Sequence, residues 1–390
     1  MEKSNRKELI IQWAACLLLG ALSFIVFYAL AGRPHSDISI HATWASEGSF
    51  LNPRSFLHHQ VHPLWHIGMG LLLLTGMPLN VAAALSTMLW KVALLWVTWW
   101  LSKRLLGRER SPWAATVCAL MAVLVSTVVV PGLNPDVYLS IGATPNPWHS
   151  PTQIAVLPFS IACVWLMAQS YVRFEQLGPQ KGVLSLGQWL WMAALFAISA
   201  LAKPSFLQAF LPGAAVYFLV QWIRHPNGSR YFWQLILAML PALAVIAVQF
   251  YFYFLNASDT GIGLTLSWQK AGTALLQCLL MCLFPLYVLL TDRERPASPL
   301  TALSLAYLAS ALVETIVLGE QGRRAADGNF VWALMGAAFL LWAVTLPRFF
   351  RRQRGRRPNV CGIIGGGLLS WHLLSGLYYV VYLLTHSVGM

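Results

Sequence analysis

"HPLWHIGMGLLLLTGMPLN" occupies residues 62–80, and its reading decides the sidedness of everything after it. Counted as a membrane crossing, it would put the basic segment SKRLLGRER (102–110) on the opposite side from the basic N-terminus MEKSNRKE. Only about 15 of its residues run as a continuous apolar stretch, whereas a crossing helix needs about 20. It opens on His62 and Pro63 and closes on Gly76, Met77 and Pro78. These features predict a helix lying along the outer membrane surface. The first outer loop then runs from Arg33 to Pro78, and ordered loops of that length carry function more often than they merely connect.

With that segment set aside, apolar runs fall at 10–32, 79–102, 113–131, 152–172, 187–202, 205–223, 231–255, 271–291, 298–318, 330–347 and 360–384. Eleven spans of this kind predict an all-α polytopic membrane protein, read as a single transmembrane domain over 1–390. The composition agrees: hydrophobic residues make up 58% and charged residues 10%, with a mean hydropathy of +0.62. A soluble chain carries about a quarter charged residues, so this one cannot solvate a globular surface. Barrel strands are excluded because the runs do not alternate. The first run is longer than a signal-peptide core and lacks a clean small-residue cleavage site, which reads as a retained anchor.

The formal charge is +13. In a membrane chain it points to cytoplasmic loops rather than to nucleic acid. Starting with the N-terminus inside, the inner segments are SKRLLGRER, VRFEQLGPQKG, WIRHPNGSR, TDRERP and RFFRRQRGRRP. Asp37, Glu47, Asp136, Asp259, Glu320 and Asp327 then all fall outside, with the sparse cations Arg33, Arg54, Lys203, Lys270, Arg323 and Arg324. Lys91 lies mid-span and is expected to face the bundle interior, with Glu314 as a conceivable partner at another depth. The six cysteines sit in or beside apolar runs without zinc-ligand spacing and read as small hydrophobes. The polar residues concentrate in the outer loops 33–78 and 319–329, so any chemistry faces outward.

Four pieces in this order carry a resemblance. The first span is followed by an acid-bearing stretch, SDISIHATWASEG (36–48). A proline-aromatic surface helix, HPLWH, comes next, and the second span ends in the basic stop LSKRLLGRE. A helix pair later turns at the outer face through ALAKPSFLQAFLPG (200–213). The layout over roughly residues 8–225 resembles the C superfamily of membrane glycosyltransferases, which includes protein mannosyltransferases and the bacterial transferases that add aminoarabinose to lipid A. The lysine-proline turn departs from the aminoarabinose branch, which has a glycine between the two residues. The first loop departs as well: many members have two adjacent acids there, whereas Ile38 follows Asp37 here.

The resemblance implies transfer of a sugar from a polyprenyl-phosphate donor to a glycan, lipid or protein acceptor, with membrane lipids around it, at the outer face of a bacterial plasma membrane. Such a transfer needs a base for the acceptor hydroxyl and cations for the departing phosphate. Asp37 fits the base, and His41 lies one helical turn on, on the same face; composition alone favours helix capping by Ser36 or Asp37, and the resemblance reverses that order. Glu47 reads as solvated. Arg323 and Arg324 suit phosphate through their planar forks, and Lys203 at its turn suits a phosphate or a snorkelling role. Glu320 belongs to the same late loop. TPNPWHSPTQ (144–153) offers a helix start that favours anions, with Asn146, Trp148 and His149 as substrate contacts; Asp136 and Tyr138 are lesser candidates. His59, His62 and His66 have helical spacing suited to a divalent metal.

Two other function classes remain open at this level. A flippase or transporter of a lipid-linked glycan would show internal repeats and broken helices, and the halves show no clear repeat. A polysaccharide polymerase or ligase would want its arginines in a large late loop, whereas the large loop here is early and acidic. No nucleotide-sugar domain is visible.

Overall fold

The computed structural model describes residues 2–47, 62–107, 111–133, 143–255, 260–292, 298–322, 328–355, 357 and 359–386. Arg323, Arg324, His59, Asp136 and Tyr138 lie outside them. Over the described residues the protein is an all-α polytopic membrane protein with one small β element.

In chain order the elements are α1 (Glu2–Ala31), α2 (Asp37–Glu47), α3 (Pro63–Leu73), α4 (Leu79–Leu106) and α5 (Ala114–Leu124). They continue with α6 (Pro151–Lys181), α7 (Leu186–Ala202), α8 (Ser205–Arg224), α9 (Ser229–Phe250) and β1 (Thr260–Leu264). The last are α10 (Trp268–Thr291), α11 (Pro299–Val317), β2 (Leu318–Gly322), α12 (Val331–Gln353) and α13 (Val360–Thr385). Among the described residues nine helices are long and apolar enough to cross a bilayer. They are α1, α4, α6 and α8 to α13, while α3, α5 and α7 are shorter apolar helices.

The segment that decided the reading is a helix of 11 residues. At 1.5 Å per residue it is about 16 Å long, roughly half the hydrocarbon thickness. Trp65 buries completely on its inner side, and its indole N–H donates to Thr87 Oγ1 of α4 at 3.2 Å. Leu71 and Leu74 on the other side stay exposed.

Two expectations are corrected. The apolar run 113–131 is not one helix. α5 stops at Leu124; Val125 is extended, and residues 126–130 continue without helix. Five of the six residues in Val125-Ser-Thr-Val-Val-Val130 are β-branched, and such residues pack as well outside a helix as in one. Backbone of this kind at membrane depth must be satisfied by protein. Here the Ser126 N–H donates to His372 O at 3.2 Å, the Val128 N–H to Leu280 O at 3.3 Å and the Val129 N–H to Ser375 Oγ at 3.0 Å. A Cβ on Gly376 would stand 1.9 Å from Leu124 O, so only glycine lets α13 approach this close.

The late outer loop 319–329 also begins differently than expected. Its first residues form β2, which pairs antiparallel with β1 in the register Thr260↔Gly322 to Leu264↔Leu318. Lys270 fastens the ribbon to α10 by donating to Thr265 Oγ1 and Leu318 O. α12 is the central helix. It is buried on nearly every side, as expected of a helix apolar all round. Its indole at Trp342 donates to Met281 O at 2.9 Å.

The charged residues separate by end. Lys103 pairs with Glu8 at 3.1 Å, and Arg351 donates to Leu105 O at 3.4 Å. Arg348 pairs with Asp292 at 3.2 Å. These contacts tie the N-terminal turn of α1 and the C-terminal turns of α4, α10 and α12 together at one end of the bundle.

Candidate functional site

At the other end, five elements converge. The α1–α2 turn is sharp, with His35 in the left-handed region at φ 64°. Ser36 then caps α2: its Oγ accepts from the Ser39 N–H at 3.1 Å and donates to Leu30 O at 2.5 Å. Because Ser36 performs the capping, the Asp37 carboxylate is left to other partners. One helical turn on, His41 Nε2 faces Asp37 Oδ1 at 3.5 Å, as the i, i+4 spacing predicts.

α3 supplies the other side of His41. His66 Nε2 lies 3.0 Å from His41 Nδ1, and His66 Nδ1 lies 2.9 Å from the carbonyl oxygen of His62. Both ring nitrogens of His66 are therefore engaged within the protein. That does not fit a metal held by His59, His62 and His66, and among the described residues no group of three or more ligating side chains is placed to hold a metal ion.

The α7–α8 turn delivers Lys203. Pro204 disfavours helical backbone in the residue before it, and Lys203 is accordingly extended at φ −171°, ψ 129°. Its ammonium sits 4.1 Å above the ring of Trp332 at the start of α12. Lys203 is 7% exposed, and its ammonium makes no hydrogen bond or ion pair among the described residues, while its backbone N–H donates to Ser199 O at 3.1 Å. A cation over an aromatic face is attracted to it, but the three N–H donors remain available to an anion.

His149 comes from the loop before α6. Its Nδ1 is 2.6 Å from Tyr379 OH of α13, and its ring lies 5.3 Å from that of Trp332. Glu320 of β2 accepts from the Asn329 side-chain amide at 2.6 Å. Asn146 and Trp148 of the same loop are placed otherwise than as substrate contacts. Asn146 Nδ2 donates to Ala122 O and Val125 O at 2.7 and 2.9 Å. Its Oδ1 lies 3.5 Å from Lys91 Nζ, and Lys91 sits 4.3 Å over the buried ring of Trp148. Lys91, whose conceivable partner was Glu314, is thus answered by this loop and anchors it, and the loop in turn places His149.

Electrostatically the group behaves as one unit. Burial lowers Lys203 to about 8, opposed by the nearby charges of Asp37 and Glu320. Burial, helped by the Lys203 charge, lowers His41 to about 3. His66 falls to about 3 by burial, with His41 contributing and Asp37 opposing. Burial likewise lowers His149 to about 3. At neutral pH all three imidazoles are uncharged, so the His41–Asp37 contact is not an ion pair.

A cavity of about 400 Å³ opens beside this group. Leu207, Leu211, Leu243, Ile246 and Phe250 of α8 and α9 line its apolar length, and His62, Lys203 and Glu320 mark its polar end. A second cavity of about 530 Å³ shares Glu320 and Phe330 with it and is lined by Thr265, Ser267, Lys270, Thr273 and Gln277.

Asp37, His41, Lys203, His149 and Glu320 are thus brought together, along with His66, while Asn146 and Trp148 are not. Trp332 and Tyr379 escaped the reading of the sequence. Both are aromatic residues near helix ends, where membrane proteins place such residues in any case. No protein-family model matches the chain, and no curated protein matches it in sequence.

Proposed function

We propose that the protein is a membrane glycosyltransferase that moves a sugar from a polyprenyl-phosphate donor to a hydroxyl acceptor. One observation carries the reading: an apolar cavity between α8 and α9 ends at a buried lysine that among the described residues has no anionic partner in contact, beside a carboxylate whose helix is capped by another residue. The isoprenoid chain occupies the apolar length and the phosphate meets Lys203. Arg323 and Arg324, which follow β2 in the sequence and lie outside the described residues, are further candidates for binding the phosphate.

In the reaction the acceptor O–H bond breaks and its proton passes to Asp37. The oxygen forms a bond to the anomeric carbon of the sugar. The bond from that carbon to the phosphate oxygen breaks, and its electron pair leaves with the polyprenyl phosphate, stabilised by Lys203. His41 lies beside the carboxylate, with its Nε2 3.5 Å from Asp37 Oδ1. His149 and Glu320 border the sugar.

We further infer that all eleven apolar segments cross the membrane, the short α5 and α7 included, and that α3 lies on its surface. Basic residues mark the inner end by the positive-inside rule, so the site faces outward, in the plasma membrane of a bacterium. The deciding experiment supplies purified protein in detergent with defined polyprenyl-phosphate sugars and candidate acceptors, and measures released polyprenyl phosphate by mass spectrometry. Acceptor-dependent release is expected. Absence of release from every donor, with no binding of polyprenyl phosphate, would sink the reading.

A further inference from the structure

The hydrogen-bond chain from α3 to α2 has only one arrangement of protons when its rings are neutral. The His62 carbonyl can only accept, so His66 Nδ1 must carry the hydrogen across their 2.9 Å contact. A neutral imidazole has one N–H, so His66 Nε2 is a bare acceptor. Across the 3.0 Å contact His41 Nδ1 must then be the donor. His41 Nε2 is left bare, and it is the atom that faces Asp37 Oδ1.

Two proton acceptors thus confront each other. Their separation of 3.5 Å exceeds the 2.7–3.2 Å usual for an N–H···O bond, as expected when no hydrogen lies between them. The surroundings favour the neutral state: burial holds both rings down to about 3, and the Lys203 charge adds to the effect on His41.

We propose that His66 is the positioning residue of this site: it holds His41 in the Nδ1–H tautomer, so that His41 Nε2 and Asp37 Oδ1 together receive one proton from an alcohol hydroxyl. The proposal rests on the transferase reading for the identity of that hydroxyl, which is the acceptor's. It adds that the proton-accepting unit has two atoms from α2 and is set by a residue of α3. The hydroxyl hydrogen enters the gap between nitrogen and carboxylate, a contact that holds no hydrogen of its own. After transfer the proton lies between His41 Nε2 and Asp37, and the Nδ1–H bond to His66 is unchanged.

The tautomer is read directly by 15N NMR of detergent-solubilised protein labelled at histidine, with the His41 signals assigned by their loss in His41→Gln. The wild type is expected to show His41 protonated at Nδ1 and bare at Nε2. A protonated Nε2 on His41 would overturn the proposal, and this measurement needs neither turnover nor a substituted His66. In His66→Leu the acceptor for Nδ1–H is lost, and His41 is expected to flip and donate from Nε2 to Asp37. Acceptor-dependent release of polyprenyl phosphate should then fall on the order of 10²-fold, with polyprenyl-phosphate binding unchanged. His66→Gln, whose Oε1 can accept in place of Nε2, should restore the tautomer and recover part of the lost turnover. A flipped His41 with undiminished turnover would also overturn the proposal. If the wild type releases no lipid phosphate from any donor, the transferase reading fails while the NMR result still decides the tautomer.

Discussion

The two ends of the bundle handle charge in opposite ways. At the basic end four cations have polar partners: Lys103 with Glu8, Arg348 with Asp292, Arg352 with Thr291 Oγ1 at 3.1 Å and Arg351 with a carbonyl. At the histidine-rich end Lys203 rests on an aromatic face, and a carboxylate confronts a bare nitrogen. The first arrangement holds helices together. The second stays at a cost in stability, because buried charge without a bonded partner is unfavourable. A ligand that brings both an anion and a hydroxyl would relieve both mismatches at once.

Substitutions at each end should therefore fail in different assays. The largest effect is expected from Asp37→Asn, which keeps the shape of the side chain but cannot take a proton. Turnover should fall on the order of 10²–10⁴-fold, with donor affinity and thermal stability near wild type. Near-normal turnover would leave Asp37 without a catalytic role. Next is Arg348→Leu, which removes one partner of Asp292, itself only 7% exposed at its side chain. Breaking a buried pair in this way typically costs about 3–5 kcal/mol, so the thermal midpoint in detergent should drop while polyprenyl-phosphate binding per folded molecule is unchanged. If binding is lost instead, the two ends are not independent.

The smallest effect is at Lys203. Replacing it with methionine should weaken polyprenyl-phosphate binding about 10- to 100-fold, the worth of hydrogen bonds to a charged group. The pH dependence sharpens this. Lys203 is lowered to about 8 in the free protein, and only its ammonium form attracts phosphate. Affinity should be full below pH 8 and decline as pH rises through it, because a bound phosphate favours the proton that the free lysine is losing. Titration calorimetry across that range checks it, and Lys203→Met should abolish the dependence.

Much of this was legible in the sequence, and the gaps have physical causes. Long helices announce themselves because a bilayer demands about 20 apolar residues in a row. Residues 125–130 misled because a largely β-branched apolar run looks the same whether helical or not, and its bonding to α13 is a tertiary fact. The ribbon of TGIGL and LGEQG was hidden for a related reason: its glycines leave no alternation of side chains to read. Asp37 and His41 were visible through spacing within one helix. His66 was visible only as a histidine, since its contact with His41 spans two helices. Asn146 and Trp148 looked like ligand contacts because they are polar and aromatic in a loop. Only the fold shows Lys91 beneath them.

Arg33 has one further consequence. From the end of the first helix it reaches the last, donating to Leu383 O and Leu384 O at 2.5 Å and to His386 O at 2.6 Å. These carbonyls close the C-terminal turn of α13, where a cation is favoured. Tyr379, one turn earlier, holds His149. Chains emerge from the ribosome N-terminus first, so Arg33 and His149 are made long before the helix that secures them. Maturation of the site thus waits on α13, and a nascent chain carries no finished centre until that helix has been made.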